Sequence, residues 1–350
     1  MTFWAADVPS PDGPTVVRIR GRRLHAGAKS SARDSFVRDE QVGPLPAGSG
    51  PFSISVKVAD VNPGDWSVSA EVVPSESTPR STPKRGGSKR TKRGEPLTLA
   101  TWSRRRLSDA QADSVTTTTT AAIRRPGIVR GGWAAMVGLA LVSALVLQQV
   151  LLRSEGMPAR DGLALSLVAA FAGGVGAKAW YIFLDRKRGR WNGWCIQGFV
   201  AALVPVLLIG APLIGVPVGG FLDLSTPALF LGMSIGRLGC ILGGCCGGRP
   251  TCSRLGVWIS DQRIGVRRIP TQLLESSLSL TTAVVTYALV ATTQRTTGGV
   301  VFVGAIAAYT LFRQALLKLR AEARRTTTGS RVTAGLAVVM LVGAVVLGVA

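Results

Sequence analysis

The sequence is short of histidine and of acid. It has one histidine, His25, and 19 Asp and Glu against 41 Lys and Arg. His25 lies in the polar N-terminal third, so the apolar remainder has no imidazole to serve as a base or a zinc ligand. No signal-peptide pattern follows Met1: the first apolar run is too short, and Asp7 and Pro9 follow at once. There is no internal repeat and no pair of interrupted apolar segments of the kind transporters carry. The five cysteines lack zinc-finger spacing, and Cys245 and Cys246 are adjacent, so no metal or other cofactor is expected.

What is abundant is apolar length. Hydrophobic residues make up 47% of the chain although its first third is polar. Runs of about 18–24 apolar residues recur from residue 131 onward, and a helix needs about 20 to cross the hydrocarbon core. Candidate spans are 131–152, 163–184, 194–216, 222–244, 271–294, 298–318 and 332–350. The expected fold is an all-α polytopic membrane protein of about seven transmembrane helices, with a small N-terminal β-rich extramembrane segment. Within residues 1–75, Phe52-Ser-Ile-Ser-Val-Lys-Val-Ala alternates apolar with polar residues, as does Trp66-Ser-Val-Ser-Ala-Glu-Val-Val. The turn signal Asn62-Pro-Gly-Asp separates them, which reads as two strands about a turn. Residues 76–130 are rich in Ser, Thr, Pro, Lys and Arg and have linker composition, expected to be disordered.

The net charge is +22, and about half of the basic residues precede residue 131. Nucleic-acid binding is one reading of such a balance. The stretch Arg80–Arg106 has almost no aromatic interleaving beyond Trp102, however, and basic residues collect on the cytoplasmic side of membrane proteins. Membrane topology is therefore the preferred reading, with no nucleic-acid partner. With seven spans, the loops at 185–193, 246–270 and 319–331 share a side with the N-terminus and carry most loop Arg and Lys. Charge alone places that side in the cytoplasm.

Ionisable groups at membrane depth are functional candidates by default. They are Lys178, Asp223, Arg237, Glu275 and Arg313, and for each the competing reading is a snorkelling end residue or an internal ion pair. Arg237 lies in Gly236-Arg237-Leu238-Gly239-Cys240-Ile-Leu-Gly243-Gly244-Cys245-Cys246-Gly247-Gly248-Arg249-Pro250-Thr251. Glycines there let backbone approach a ligand, and an Arg fork suits a phosphate, so a lipid phosphate is the expected anion. A second element reads Arg267-Arg268-Ile269-Pro270-Thr271-Gln272-Leu273-Leu274-Glu275, with Pro at a helix start and two Arg just before it. Glu275 can orient an Arg, accept a proton, or form a structural salt bridge to Arg268. Four of the five cysteines fall within Cys240–Cys252. Three readings stand for them: buried packing, reactive thiols at Cys240, Cys245 or Cys246, and a disulfide or metal site.

Together these motifs resemble the prolipoprotein diacylglyceryl transferase family. That family's signature runs Gly-Arg-x-Gly-Asn-Phe-x-Asn-Gly-Glu, ends in Gly-x-Pro-Thr, and is followed by Arg-His-Pro-Ser/Thr-Gln-Leu-Tyr-Glu. Gly236-Arg237-Leu238-Gly239 and Gly248-Arg249-Pro250-Thr251 match the ends of the first part. Arg268-x-Pro270-Thr271-Gln272-Leu273-x-Glu275 matches the second. Weaker echoes cover the rest of the membrane part: Lys178 and Tyr181, Gly193-x-x-x-Gln197-Gly198, Asp223 and Pro227, and Tyr309-x-x-x-Arg313 with Arg320. The departures are chemical. Gln197 stands at the family's His, Cys240 and Gly243 at its two Asn, Cys245 at its motif Glu, Leu274 at its Tyr, and Leu317 at its sixth-span Glu.

The resemblance implies a multi-pass bacterial plasma-membrane enzyme that moves diacylglyceryl from phosphatidylglycerol, or a similar anionic phospholipid, to the lipobox cysteine of a preprolipoprotein. It implies catalytic roles for Arg237, Arg268 and Glu275, and substrate binding by Gly236, Gly239, Gln197, Arg249 and Tyr181. It also implies an N-terminus and active-site loops that face outward, opposite to the loop charges. The alternative is a catalytically diverged membrane protein that keeps the fold and binds lipid or uses Cys245 and Cys246 in thiol redox chemistry.

Overall fold

The computed structural model describes residues 2–5, 15–24, 31–43, 45–46, 48–56, 58, 61–62, 64–73, 96–100, 114–117, 127–185, 194–261, 264–292, 298–321 and 328–349. His25 and the basic stretch 101–106 lie outside them. The chain forms two compact units. One joins Met1–Gly132 with Cys240–Gln272 and Leu319–Glu322, and the other joins Trp133–Gly239, Leu273–Lys318 and Ala323–Ala350.

The first unit is built on strands. They are β1 Thr2–Ala5, β2 Thr15–Arg23, β3 Ser35–Val42, β4 Phe52–Ser55, β5 Gly64–Val73, β6 Pro96–Ala100, β7 Ser114–Thr117, β8 Val257–Asp261 and β9 Ile264–Arg268. The order is β3-β2-β5-β6-β1-β4-β9-β8, with β7 on β5, and every pairing is antiparallel. Two of the strands, β6 and β7, fall inside the stretch of linker composition. The two alternating segments are strands, but they do not form a hairpin with each other. β4 pairs β1 and β9, while β5 pairs β2, β6 and β7. Alternation reports that one face is buried; it does not say which strand lies alongside.

That face is closed by Phe3, Val17, Ile19, Phe52, Ile54, Trp66 and Val68, together with Val266 from β9. The β8–β9 hairpin is thus part of the same core as the N-terminal strands. Trp258 of β8 stacks on Trp4 at 5.1 Å between ring centres and donates from Nε1 to the Pro51 carbonyl at 3.1 Å. Asp34 accepts from Asn62 Nδ2 at 2.9 Å and from the Ser31 N–H at 2.7 Å, which holds its carboxyl well below the usual carboxylate range.

The second unit contains seven helices long and apolar enough to cross a membrane, in whole or in part. They are α1 Gly132–Ser154, α2 Ala159–Asp185, α3 Ile196–Leu213, α4 Val218–Gly243, α5 Thr271–Thr292, α6 Val300–Leu316 and α7 Thr328–Val349. The protein is therefore a multi-pass membrane protein. Its polarity is inverted relative to a water-soluble domain. Val142, Phe171, Phe183, Leu213 and Leu347 are exposed, whereas Gln148, Asp223, Ser234, Glu275, Ser279 and Thr286 are buried. Half of the α4 span is buried, against 11% for α3 and α7, so α4 is the enclosed helix and the outer ones face lipid.

Small residues set the closest helix approach. A Cβ on Gly198 of α3 would lie 2.3 Å from the carbonyl oxygen of Gly176 on α2, so backbone meets backbone there and only glycine fits. Buried polar side chains tie helices together where water is absent. Gln148 of α1 donates to Ser225 Oγ of α4 at 2.6 Å and accepts from Ser166 Oγ of α2 at 2.9 Å.

Candidate functional site

Arg237 on α4 and Glu275 on α5 form an ion pair inside the helical unit. Arg237 Nε donates to Glu275 Oε2 at 2.8 Å. The Glu275 side chain is 1% exposed and that of Arg237 is 18% exposed. The two helices are locked in this register by a second contact nearby. Ser276 Oγ donates to the Ser234 carbonyl at 2.9 Å and lies 3.0 Å from Ser234 Oγ. The salt bridge considered from sequence joined Glu275 to Arg268; the structure gives Glu275 to Arg237. Spacing along the chain put Arg268 nearer, but helix register decides which residues face each other. An isolated charge at this depth costs several kcal/mol, and the pairing offsets that cost.

The other motif residues form a braced loop in the strand-built unit. Gly244 has φ of 60°, and a Cβ there would lie 2.3 Å from the Ser260 carbonyl oxygen. Cys246 has φ of 59° and is the positive-φ non-glycine residue among those described. The turn they make is held by side chains of the second motif. Gln272 Nε2 donates to the Cys245 carbonyl at 2.9 Å, and Thr271 Oγ1 donates to the Cys246 carbonyl at 3.1 Å. The Gly247 N–H donates to Asp261 Oδ2 at 3.2 Å, and the Arg249 N–H donates to the Leu319 carbonyl at 2.9 Å.

Arg268 belongs to this brace. Its Nη1 donates to the Gly248 carbonyl at 3.1 Å and its Nη2 to the Ile264 carbonyl at 3.4 Å. Its Nε is buried without a hydrogen-bond partner. Burial pulls its guanidinium below the ordinary arginine range, and nearby Asp261 acts in the opposite direction. The thiols of Cys240, Cys245 and Cys246 lie within 4.8 Å of one another. Hydrogen bonding with Cys240 and Cys246, then burial, pushes the Cys245 thiol up. In that state it stays protonated at neutral pH and is a poor nucleophile.

The remaining sequence candidates belong to both units. Arg249 is exposed. Gln197 is exposed, and its Oε1 accepts from the Cys195 thiol at 2.8 Å. Tyr181 is half-buried on α2. Gly236 and Gly239 face α1: a Cβ on Gly239 would lie 3.0 Å from Met136 Cβ, and one on Gly236 would lie 4.0 Å from Ala140 Cβ. Lys178 sits 5.8 Å from the ring centre of Trp194. Tyr309, one turn from Arg313 on α6, packs on Phe230 with ring centres 5.2 Å apart.

Asp223 acts at a helix end, as its place at the opening of the fourth span suggests, but the end is that of a different helix. It is 2% exposed and caps α6 from another helix, accepting from the Gly299 N–H at 2.8 Å and the Phe302 N–H at 2.9 Å. An anion at a helix N-terminus satisfies donors that the helix itself cannot. Asp223→Ala leaves the N–H groups of buried Gly299 and part-buried Phe302 without this acceptor and is expected to cost about 1–3 kcal/mol. Thermal unfolding in detergent checks this, and Asp223→Asn should retain part of the stability. The roles of Ser234, Ser276, Thr271, Gln272 and Asp261 are not legible in sequence, because small polar residues signal nothing until their partners are known.

The chain is similar to known proteins. A curated relative, the phosphatidylglycerol–prolipoprotein diacylglyceryl transferase of Clostridium tetani (strain Massachusetts / E88), is 27% identical over 157 residues. The similarity covers 41% of this chain and 63% of the relative, so the chain spans less than two thirds of that protein's length. The sequence model of prolipoprotein diacylglyceryl transferase matches residues 126–350, well over half of the chain, with Arg237, Arg268 and Glu275 inside the match. The chain belongs to the prolipoprotein diacylglyceryl transferase family.

Proposed function

We propose that the protein is a diacylglyceryl transferase of the bacterial cell membrane. Its donor is phosphatidylglycerol or a similar anionic phospholipid, and its acceptor is the lipobox cysteine of a preprolipoprotein. The observation that carries this reading is Arg237: a cation inside a membrane span, oriented by a fully buried carboxylate, with its side chain 18% exposed. Family membership and the name of the Clostridium tetani relative support the choice of substrates.

The reaction joins the acceptor sulfur to the glyceryl carbon and breaks that carbon's bond to the phosphate oxygen. The electron pair leaves with glycerol phosphate, and the thiol proton goes to solvent or a base. Charge therefore grows on the phosphate, where a preoriented cation lowers the barrier most. Arg237 is the group assigned to that phosphate. Glu275 is a positioning residue that holds Arg237 by its Nε and so fixes the direction of the guanidinium fork. Arg249, an exposed cation of the strand-built unit, and the exposed amide of Gln197, a hydrogen-bonding group but no base, are further groups able to bind a headgroup. Arg268 acts through the loop it braces rather than on the phosphate directly.

The test is transfer by the purified full chain in phosphatidylglycerol bilayers, with a synthetic lipobox peptide as acceptor. The expected product is the peptide carrying a diacylglyceryl thioether, seen as the corresponding mass gain, together with rescue of a bacterial strain depleted of its own transferase. No thioether with any phospholipid donor, and no rescue, overturns the function.

A further inference from the structure

The transfer needs a thiolate, yet the chain has Gln197 at the position of the family's histidine and Cys245 at that of its motif glutamate. Two of the family's polar groups, the first motif Asn and the motif Glu, are replaced by thiols, at Cys240 and Cys245. Cys240, Cys245 and Cys246 place three sulfur atoms within 4.8 Å of one another. Three sulfurs bound to one ion at about 2.3 Å lie roughly 3.8–4.0 Å apart, so small side-chain rotations bring this set to ligand distance. None of the three is in a disulfide, with Cys240 buried and the other two half-buried.

The backbone explains how adjacent cysteines can share one ligand. In extended chain, neighbouring side chains point to opposite sides. Here φ is 60° at Gly244 and 59° at Cys246, so the chain curls back on itself. The Cys245 N–H donates to the Cys240 carbonyl at 3.1 Å, which closes the turn between the first and second thiols. Gln272 and Thr271 pin the carbonyls of Cys245 and Cys246. A cysteine kept in the left-handed region, in a loop clamped from the outside, is the strained and preorganised arrangement seen at functional positions. Spacing along the chain argued against a metal because it counted Cys245 and Cys246 as neighbours; in space Cys240 joins them.

We propose that Cys240, Cys245 and Cys246 bind one Zn(II) as three thiolates, and that the open fourth position takes the acceptor thiol. Binding releases the protons of the three thiols to solvent. Zinc prefers four ligands, and three protein ligands leave one place for a substrate group. A thiol that enters it gives up its proton to solvent and is held as thiolate. Its sulfur then attacks the glyceryl carbon as the bond to the phosphate oxygen breaks, and the thioether product, a far weaker ligand, leaves the ion. This second half rests on the transferase reading above; the metal site itself does not.

The test uses the reduced full-length protein in detergent with Co(II) as the coloured stand-in for Zn(II). One Co(II) per chain is expected, with thiolate charge-transfer and tetrahedral bands that one equivalent of Zn(II) abolishes. Cys245→Ser and Cys246→Ser should each lose the bands, and Cys240→Ala should do so as well. Cys195→Ser and Cys252→Ser, with cysteines outside the cluster, should keep them; circular dichroism identifies any variant that fails to fold. Absence of the bands from the wild-type protein, or bands that survive both Cys245→Ser and Cys246→Ser, overturns the site. A lipobox peptide should then strengthen the charge-transfer band, and its Cys→Ser analogue should not. Bands that ignore the cysteine peptide overturn the acceptor role. Bands that respond to it, in a protein that forms no thioether, sustain the metal site and sink the transferase reading instead.

Discussion

Glu275→Ala is expected to destabilise the helical unit by about 3–5 kcal/mol and to abolish transfer, because it leaves the Arg237 guanidinium at membrane depth without its carboxylate. The carboxylate oxygen sits 2.8 Å from Arg237 Nε and is almost wholly buried, so little water reaches the gap that the substitution opens. Arg237→Ala should cost a similar amount for the converse reason. The informative protein is the double variant. Replacing both partners with residues of comparable volume, Arg237→Met with Glu275→Met, removes both buried charges at once. Such replacements are often neutral or stabilising. The double variant is therefore expected to melt within a few degrees of wild type while transferring no diacylglyceryl group. That outcome separates what the pair does for folding from what the cation does for chemistry. Transfer that persists in the folded double variant would show that Arg237 is not the phosphate-facing group. A wild-type melting point for Glu275→Ala would show that the pair does not hold the helices.

Gly198→Ala should be among the most damaging one-methyl changes in the membrane part. The added carbon would lie 2.3 Å from the Gly176 carbonyl oxygen and 2.4 Å from Trp180 Cβ. Neither obstacle is the free end of a flexible side chain, so α2 and α3 must separate. Overpacking of this kind costs about 1–3 kcal/mol or more when backbone has to move. Gly176→Ala meets Ala202 Cβ and the Gly198 carbonyl oxygen, each at 2.5 Å, and should behave alike. Gly174→Ala on the same helix is the control. Its nearest neighbour would be Trp194 at 3.9 Å, an ordinary contact, and alanine favours helix over glycine by up to about 1 kcal/mol. Melting temperatures in one detergent rank the three. Equal stability of Gly198→Ala and Gly174→Ala would contradict the close crossing. The result also bears on Gln197-Gly198, which the sequence presents beside the family's histidine position: Gly198 serves helix packing, and Gln197, one residue away, is on the exposed side.

Much of the architecture is legible in the amino-acid sequence. Seven apolar runs of membrane-crossing length are seven helices, because a backbone in hydrocarbon has to satisfy its own polar groups. The fourth span, read as 222–244, is α4 at Val218–Gly243, and its end in glycine and cysteine marks the turn into the braced loop. The alternating segments near 52–59 and 66–73 overlap strands β4 and β5. Their partners are not legible. Period-two alternation encodes a buried face, and β4 found β9, a strand that follows the fourth span, instead of β5.

The candidate site divides in the same way. Arg237, Glu275 and Arg268 stand out in sequence because charged residues in or beside apolar runs are costly to keep there. Which of them meet was decided by the tertiary structure. Register between α4 and α5, fixed by Ser234 and Ser276, gave Glu275 to Arg237, while Arg268 turned to the carbonyls of Gly248 and Ile264. The scarcity that marks this chain, one histidine and none in the membrane part, determined from sequence alone that no imidazole of that part does the chemistry there. That three cysteines converge depends on φ at Gly244 and Cys246 and on hydrogen bonds from Thr271 and Gln272. Residue types and apolar lengths are local properties, written in the chain. Pairings and convergences depend on distances between segments far apart in sequence, which exist only once the chain has folded.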